Sequence, residues 1–325
     1  MQSTDLADGV IEGDVGSTAR MITLIERRSP ELDVHLQRLY RAHRAAHVLG
    51  ITGPAGSGKS TLVSSLAREY RQQGKTVGIL AVDPSSVFTG GAILGDRIRM
   101  GELSGDPGIF IRSMATRGAM GGLARAALDA VTVLEASGKD IVIVETVGVG
   151  QSELEIVGTA DTTVVALTPA AGDMVQMLKA GILEVADIFV VNKADMEGAG
   201  RLARDLRTTL NMGEHPAPGD WIQPIVQTQA TAGVGIDTLW AEAERHRAHL
   251  REAGRLEGRR RARLRAEILD LVMLGVRARL LDDARGRGEL ENLLDQVDAR
   301  ALDPYAAANT IMRSGTLVGP TIDGR

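Results

Sequence analysis

The sequence predicts an α/β fold: a mostly parallel sheet covered by helices, with a helical prelude before it and a helical arm after it. Three observations carry this. Short, continuously apolar runs alternate with stretches of helical spacing, the pattern of strands buried on both faces. Several runs end on a carboxylate or a polar loop, so one edge of the sheet should collect the chemistry, as open α/β sheets do. The first run feeds directly into Gly53-Pro54-Ala55-Gly56-Ser57-Gly58-Lys59-Ser60-Thr61, which fits the phosphate-loop pattern G-x-x-x-x-G-K-[ST] without gaps.

Residues 1–16 are polar, rich in Asp and Gly, and expected to fray. From Ser17 to about His47 apolar residues recur at helical spacing, with a break at Ser29-Pro30. His47-Val48-Leu49-Gly50-Ile51-Thr52 reads as the first strand, and Leu62, Val63, Leu66 and Ala67 as one face of the helix after the loop. Further strands are expected over 75–83, 108–113, 140–145, 162–168 and 188–191, separated by a Gly-rich polar loop over 88–99 and a helix over 121–137. Beyond Gly235 a helix runs through Trp240, followed by an arginine-dense stretch over 245–265 interleaved with glutamates, read as a solvated face. Leu264, Ile268, Leu271, Val272 and Val276 form an apolar stripe on a long helix, and two shorter helices divide near Asp303-Pro304. The expected organisation is a prelude over 1–46, a nucleotide domain over 47–245 and an arm over 246–325.

In the loop, glycines let backbone N–H groups curl around phosphate oxygens, and the helix N-terminus adds its positive dipole end. Gly53, Ala55, Gly56, Ser57, Gly58 and Thr61 thus line the phosphates, Lys59 reaches the β- and γ-phosphates, and the Ser60 hydroxyl is an Mg²⁺ ligand. Asp83 and Glu145 end their strands beside this loop as further Mg²⁺ ligands, and Asp96 is placed to reach the metal from the polar loop. Gly148, three residues beyond Glu145, has the position of a γ-phosphate sensor. Asn192-Lys193-Ala194-Asp195 leaves a strand end: Asp195 can accept from guanine N1–H and N2–H₂, Lys193 can cover the base, and Asn192 braces the loop. Gln229 and Ala230 follow one helix and strand later at the same edge. GTP is the expected nucleotide.

Composition narrows the setting. The 325 residues contain no cysteine, which excludes disulfides and cysteine-held metals and suits a reducing cytoplasm. A net charge of −5 argues against a general nucleic-acid binder. No basic n-region with an apolar core opens the chain, and no apolar run is long enough to span a membrane. Lysine is confined to Lys59, Lys75, Lys139, Lys179 and Lys193 in an otherwise arginine-using chain, which marks the motif lysines as chosen.

The phosphate loop, Val82-Asp83-Pro84-Ser85-Ser86, Glu145-Thr146-Val147-Gly148-Val149-Gly150-Gln151-Ser152-Glu153 and Asn192-Lys193-Ala194-Asp195 together resemble the MeaB/ArgK family. These are MMAA-like G-protein chaperones of adenosylcobalamin-dependent acyl-CoA mutases. The likeness runs from Arg20 to Asp303-Pro304-Tyr305-Ala306-Ala307, and the Glu145–Glu153 run is its most specific part. The resemblance implies a SIMIBI-type P-loop GTPase, of the group that includes signal-recognition and metal-insertion GTPases. It also implies a homodimer through the C-terminal arm, and partnership with a mutase and with its adenosyltransferase.

Three switches follow from the resemblance: 83–100, 145–155, and one near 171–184. Gln151, Asp173, Gln176 and Lys179 are implied to signal to the partner. Met174 and Met177 stand where the family more often has an acid and a glycine. GTP with Mg²⁺ is the implied ligand set, and adenosylcobalamin enters only through the mutase. The one Asp-x-His of the chain, Asp33-Val34-His35, has Arg38 where the cobalamin signature D-x-H-x-x-G needs Gly. Two alternatives stand beside this reading. A nickel-insertion GTPase would need a Cys/His cluster, and the six histidines are scattered. A kinase serving basic amino-acid transport would need an acceptor-protein site.

Overall fold

The computed structural model describes residues 5–29, 31–42, 44–82, 103, 105–114, 122–146, 158–169, 182–212, 217, 219–286 and 288–314. They fall into two compact units, residues 1–258 and 259–325.

The first unit is built on seven strands: β1 (His47–Thr52), β2 (Val77–Val82), β3 (Ile109–Met114), β4 (Ile141–Thr146), β5 (Thr162–Leu167), β6 (Ile188–Asn192) and β7 (Ile225–Thr228). Their spatial order is β3-β2-β4-β1-β5-β6-β7 and every pairing is parallel. Parallel neighbours need crossovers, and the helices provide them. The chain steps from β1 outward to β2 and β3, returns through β4, and then lays β5 on the other side of β1. The carboxyl end of β1 is thereby the switch point, where open sheets leave a ligand crevice.

Period-two alternation divides the strand residues between two apolar layers. Val48, Leu80, Val82, Val142 and Val144 face one layer, with α5 (Gly122–Ala136) and the N-terminal helices. Leu49, Ile51, Val77, Ile79, Ile141 and Ile143 face the other, with α4 (Lys59–Gln72) and α8 (Ile236–Glu252). The short α6 (Ile182–Val185) precedes β6. A smaller cluster seats Leu206 of α7 (Ala199–Asn211) against Val165, Leu167 and Phe189.

The N-terminus departs from the expectation of a frayed segment. Residues Leu6–Ile11 form α1, capped by Asp5 Oδ1 accepting from Ala7 N at 3.0 Å, with Ala7 and Val10 fully buried. A polar average concealed two apolar positions three apart, and burying them in the layer over α5 outweighs the Asp and Gly content. Helices α2 (Val15–Arg27) and α3 (Leu32–Ala42) follow, broken around Ser29 as the Ser-Pro pair predicts. Met21 and Ile22 are fully buried, each contributing about 1.5–3 kcal/mol by removal from water. Arg112 of β3 donates to Thr23 Oγ1 at 3.0 Å and pairs with Glu26, tying α2 to the sheet edge. The prelude is thus part of the first compact unit.

At the other end, α8 runs through position 245 to Glu252, with His246 and Leu250 buried. The long helix α9 (Arg255–Gly286) follows. In the second unit α10 (Glu289–Asp298) and α11 (Pro304–Ser314) are joined by a 2.9 Å bond from Ser314 Oγ to Glu289 Oε2. Ile268, Leu269, Leu271, Val272, Met273 and Leu274 of α9 are all more than two-fifths exposed. No helix among the described residues is long and apolar enough to cross a membrane.

Candidate functional site

The chain from Gly53 to Gly58 leaves the carboxyl end of β1 and enters α4. Gly53 has φ +150°, and a Cβ there would lie 2.1 Å from the backbone oxygen of Ala166 on β5, so only glycine fits against that strand. Gly58 has φ +83°, and its Cβ would meet Asn192 Nδ2 at 2.5 Å. Gly58 also caps α4 without a side chain, which leaves the first-turn amides with no side-chain cap.

Lys59 is the first residue of α4. Its Nζ donates to Gly53 O at 2.8 Å and Pro54 O at 3.0 Å. It is buried, with 6 % of its surface exposed. The loop folds back over the lysine stem and holds the ammonium on its own carbonyls. Ser60 Oγ donates to Glu145 Oε1 at 2.6 Å, joining the start of α4 to the end of β4. Glu145 pairs in register with Ile51 of β1, which brings a residue 85 positions away beside the loop. Ala55 and Gly56 are exposed, and Thr61 is partly buried in the first turn of α4.

The Ser57 hydroxyl is fully buried and has no hydrogen-bond partner among the described residues. Buried hydroxyls are rarely left so, and one inside a glycine loop at a helix N-terminus fits a site that takes an anion. The hydroxyl–carboxylate pair Ser60–Glu145 is a hard-oxygen donor set of the kind Mg²⁺ takes.

Asn192, buried at the end of β6, joins this loop to the two beside it. Its Nδ2 donates to Ser57 O at 2.9 Å, and its Oδ1 accepts from Thr228 Oγ1 at 3.0 Å and Ala230 N at 3.2 Å. Lys193 holds a left-handed φ of +55° and is exposed, and its Cε passes 4.0 Å from the Cβ position of Gly58. Ala194 N donates to Thr228 O at 3.0 Å and Met196 N to Lys193 O at 2.9 Å, which turns Asp195 outward into solvent. Gln229 is partly buried, its backbone paired with Val234, and Ala230 is buried. The structure therefore brings Gly53, Ser57, Gly58, Lys59, Ser60, Glu145, Asn192, Lys193 and Ala230 to one sheet edge. Asp83, Asp96, Gly148, Gln151, Asp173, Gln176 and Lys179 lie outside the described residues.

Sequence reasoning did not single out Thr228 or the pair Thr52–Thr146. Thr228 completes the Asn192 bridge, and Thr146 Oγ1 donates to Thr52 Oγ1 at 2.9 Å between the ends of β4 and β1. The available signal was a threonine closing each of three apolar strands. His35 of the α3 Asp-x-His joins an ion cluster with α1: Arg38 pairs with Asp5 and Asp8, and His35 Nδ1 lies 3.5 Å from Asp5.

A wholly parallel sheet with its phosphate-loop sequence at the switch point, and Asn-Lys-Ala-Asp leaving the same edge, defines a P-loop GTPase. The profile described as "methylmalonyl Co-A mutase-associated GTPase MeaB" matches residues 18–285. A Pyrococcus abyssi protein named as a GTPase is 46% identical over 310 residues, covering 95% of each chain. The mouse mitochondrial methylmalonic aciduria type A homolog is 31% identical over 326 residues, covering 95% of this chain and 78% of its own. Among solved structures, one described as a LAO/AO transport system kinase superposes with a TM-score of 0.70 at 23% identity, covering 95% of this chain and 96% of its own, a likeness of fold. The chain belongs to the MeaB family and is a GTPase.

Proposed function

We propose that this GTPase is a chaperone whose nucleotide state gates adenosylcobalamin loading, and protection or reactivation, of a B12-dependent acyl-CoA mutase of the methylmalonyl-CoA mutase type. The observation that supports this most is the match to a mutase-associated GTPase family over residues 18–285. The mouse relative named for methylmalonic aciduria points the same way.

In this reading GTP lies along the edge from Gly53 to Asp195. Lys59 exchanges its bonds to Gly53 O and Pro54 O for β- and γ-phosphate oxygens, and amides of the loop and α4 hold the same phosphates. Ser60, Asp83 and Glu145 would hold Mg²⁺, which neutralises charge on the phosphates. Water adds to the γ-phosphorus, the bond to the β–γ bridging oxygen breaks, and GDP, phosphate and a proton leave. Lys59 stabilises the charge gathering on that bridging oxygen, with Asp96 reaching the site as its loop closes. Gly148 senses the γ-phosphate, Asp195 with Lys193 selects guanine, and Asn192 holds the two loops in one frame. No glutamine directly follows Gly148, so intrinsic hydrolysis is slow and a partner completes the site. Gln151, Asp173, Gln176 and Lys179 signal to that partner. The mutase carries the cobalamin, the adenosyltransferase supplies it, and the α9 stripe pairs two copies of the chain in the cytoplasm.

Steady-state GTPase assays with and without an adenosylcobalamin-dependent methylmalonyl-CoA mutase from the same cells test this. The mutase should accelerate the parent at least about tenfold, about 1.4 kcal/mol of barrier. Lys179→Ala should keep basal turnover within about threefold and lose most of the acceleration. Unchanged turnover of the parent with mutase present, together with no complex by size exclusion in either nucleotide, would overturn the mutase reading and leave the GTPase assignment standing.

A further inference from the structure

Ser64 and Ser65 stand side by side on α4 and use their hydroxyls differently. Ser64 Oγ donates to Ser60 O at 2.9 Å, the bond back to its own helix that helical serines commonly make. Ser65 Oγ forgoes that bond. It donates at 2.8 Å to Ala230 O, a backbone carbonyl 165 positions away.

Ala230 opens the 3₁₀ turn Ala230–Ala232, just beyond the end of β7. Gly233 N also points at the Ala230 carbonyl, at the longer distance of 3.4 Å, so Ser65 is its close partner. The Ala230 amide donates to Asn192 Oδ1 at 3.2 Å, and Asn192 Nδ2 donates to Ser57 O at 2.9 Å. From Ser57 the chain enters α4 and reaches Ser65 about two turns further on. These links close a ring through Ser57, Asn192, Ala230 and Ser65, and Ser65 closes it from the helix.

The turn itself is tight. Gln229 N donates to Val234 O at 3.0 Å and Val234 N to Gln229 O at 3.3 Å. Gly235 follows with φ +73°, and a Cβ there would lie 2.3 Å from Gln227 O. A piece this compact is placed by what holds its first residue, and both polar atoms of the Ala230 backbone are held.

We propose that Ser65 is a positioning residue for the nucleotide base: by fixing the Ala230 carbonyl it sets this turn beside Asn192–Asp195 and slows the release of guanine nucleotide. The inference rests on the reading that Asp195 takes guanine at this edge. Phosphates and base are then held by different loops, and α4 is bonded to both. A turn free to shift would leave the base half of the site formed for only part of the time, and apparent affinity falls by that fraction. Ser65 keeps the turn in place before the nucleotide arrives, which spares the ordering that binding would otherwise require. Ligands that carry phosphates without a base make no use of the turn.

The test compares Ser65→Ala, Ser65→Thr and Ser64→Ala with the full-length parent, reading release of fluorescent N-methylanthraniloyl-GDP into excess GDP. Alanine suits a helix interior, so the serine-to-alanine variants fold. Loss of one neutral hydrogen bond should make release from Ser65→Ala about tenfold faster. Ser65→Thr keeps the hydroxyl and should stay within about threefold of the parent. Ser64→Ala removes a hydroxyl from the same helix and should release GDP at the parent rate. Affinity for inorganic triphosphate in Mg²⁺, by isothermal titration, should be the same in Ser65→Ala and the parent. Parent-like release from Ser65→Ala, equal acceleration in Ser64→Ala, or an equal loss for inorganic triphosphate would each overturn the positioning role. Asp195→Asn, run alongside, separates the two readings. If it releases GDP faster and Ser65→Ala does not, the role of Ser65 alone is struck. If Asp195→Asn releases GDP as the parent does, guanine is not read at this edge and both fall.

Discussion

The Ser60 hydroxyl donates a 2.6 Å hydrogen bond to Glu145 Oε1, so the first turn of α4 and the last turn-in of β4 are joined at the crevice where the phosphates would lie. Glu145→Gln keeps an acceptor oxygen for Ser60 and removes the charge that a hard cation takes. Stability by urea unfolding should change by less than about 1 kcal/mol. GTP turnover in saturating Mg²⁺ should fall on the order of a hundredfold, about 2.7 kcal/mol of barrier. Parent-like turnover would remove Glu145 from the metal set.

Asp195 is exposed, turned outward by the left-handed Lys193 and the bond from Ala194 N to Thr228 O. Asp195→Asn presents a donor where guanine also presents one, and should cost about 2–4 kcal/mol in GTP affinity. Isothermal titration with GTP and GDP measures it. Equal affinity in the two proteins would mean that guanine is not read here.

Gly53 and Gly56 share a left-handed φ and differ in surroundings. A Cβ at Gly53 meets backbone oxygen at 2.1 Å, while at Gly56 it meets nothing within 4 Å. Gly56→Ala should lose about 1 kcal/mol through backbone conformation alone. Gly53→Ala should lose more than about 3 kcal/mol, because neither β5 nor the loop can give way. Thermal unfolding of the nucleotide-free proteins compares them, and equal losses would show that the loop relaxes off β5.

The Arg71 guanidinium bonds both oxygens of Asp106, at 3.1 and 3.0 Å, and with the Gly108 amide holds that carboxyl below the usual carboxylate range. A folded value below the unfolded one gives stability that is present above the unfolded value and lost as pH falls through the folded one. The parent should therefore lose stability between about pH 4 and 2 more steeply than Asp106→Asn. Urea midpoints across that range check it, and parallel curves would show the pair to be silent.

Local pattern determined much of this protein. Strand and helix periodicity placed six strands within two residues of where they lie, since burial on both faces demands continuous apolar runs. The phosphate loop and Asn192–Asp195 were legible because each is contiguous, and its chemistry follows from residue type at fixed spacing. What lay beyond reading was set by strand order. His47 meets Thr162 across 115 positions, Thr162 meets His246 across 84, and Asn192 reaches Ser57 across 135. Periodicity says that a residue faces the core and is silent on which distant residue it faces there. The same gap hid α1, whose Ala7 and Val10 count as apolar only once a layer exists to receive them, and the burial of Lys59 under its own loop. Residue type and spacing thus determined the elements and the contiguous motifs, while the tertiary fold alone decided which polar groups meet, because parallel crossovers join residues far apart in the chain.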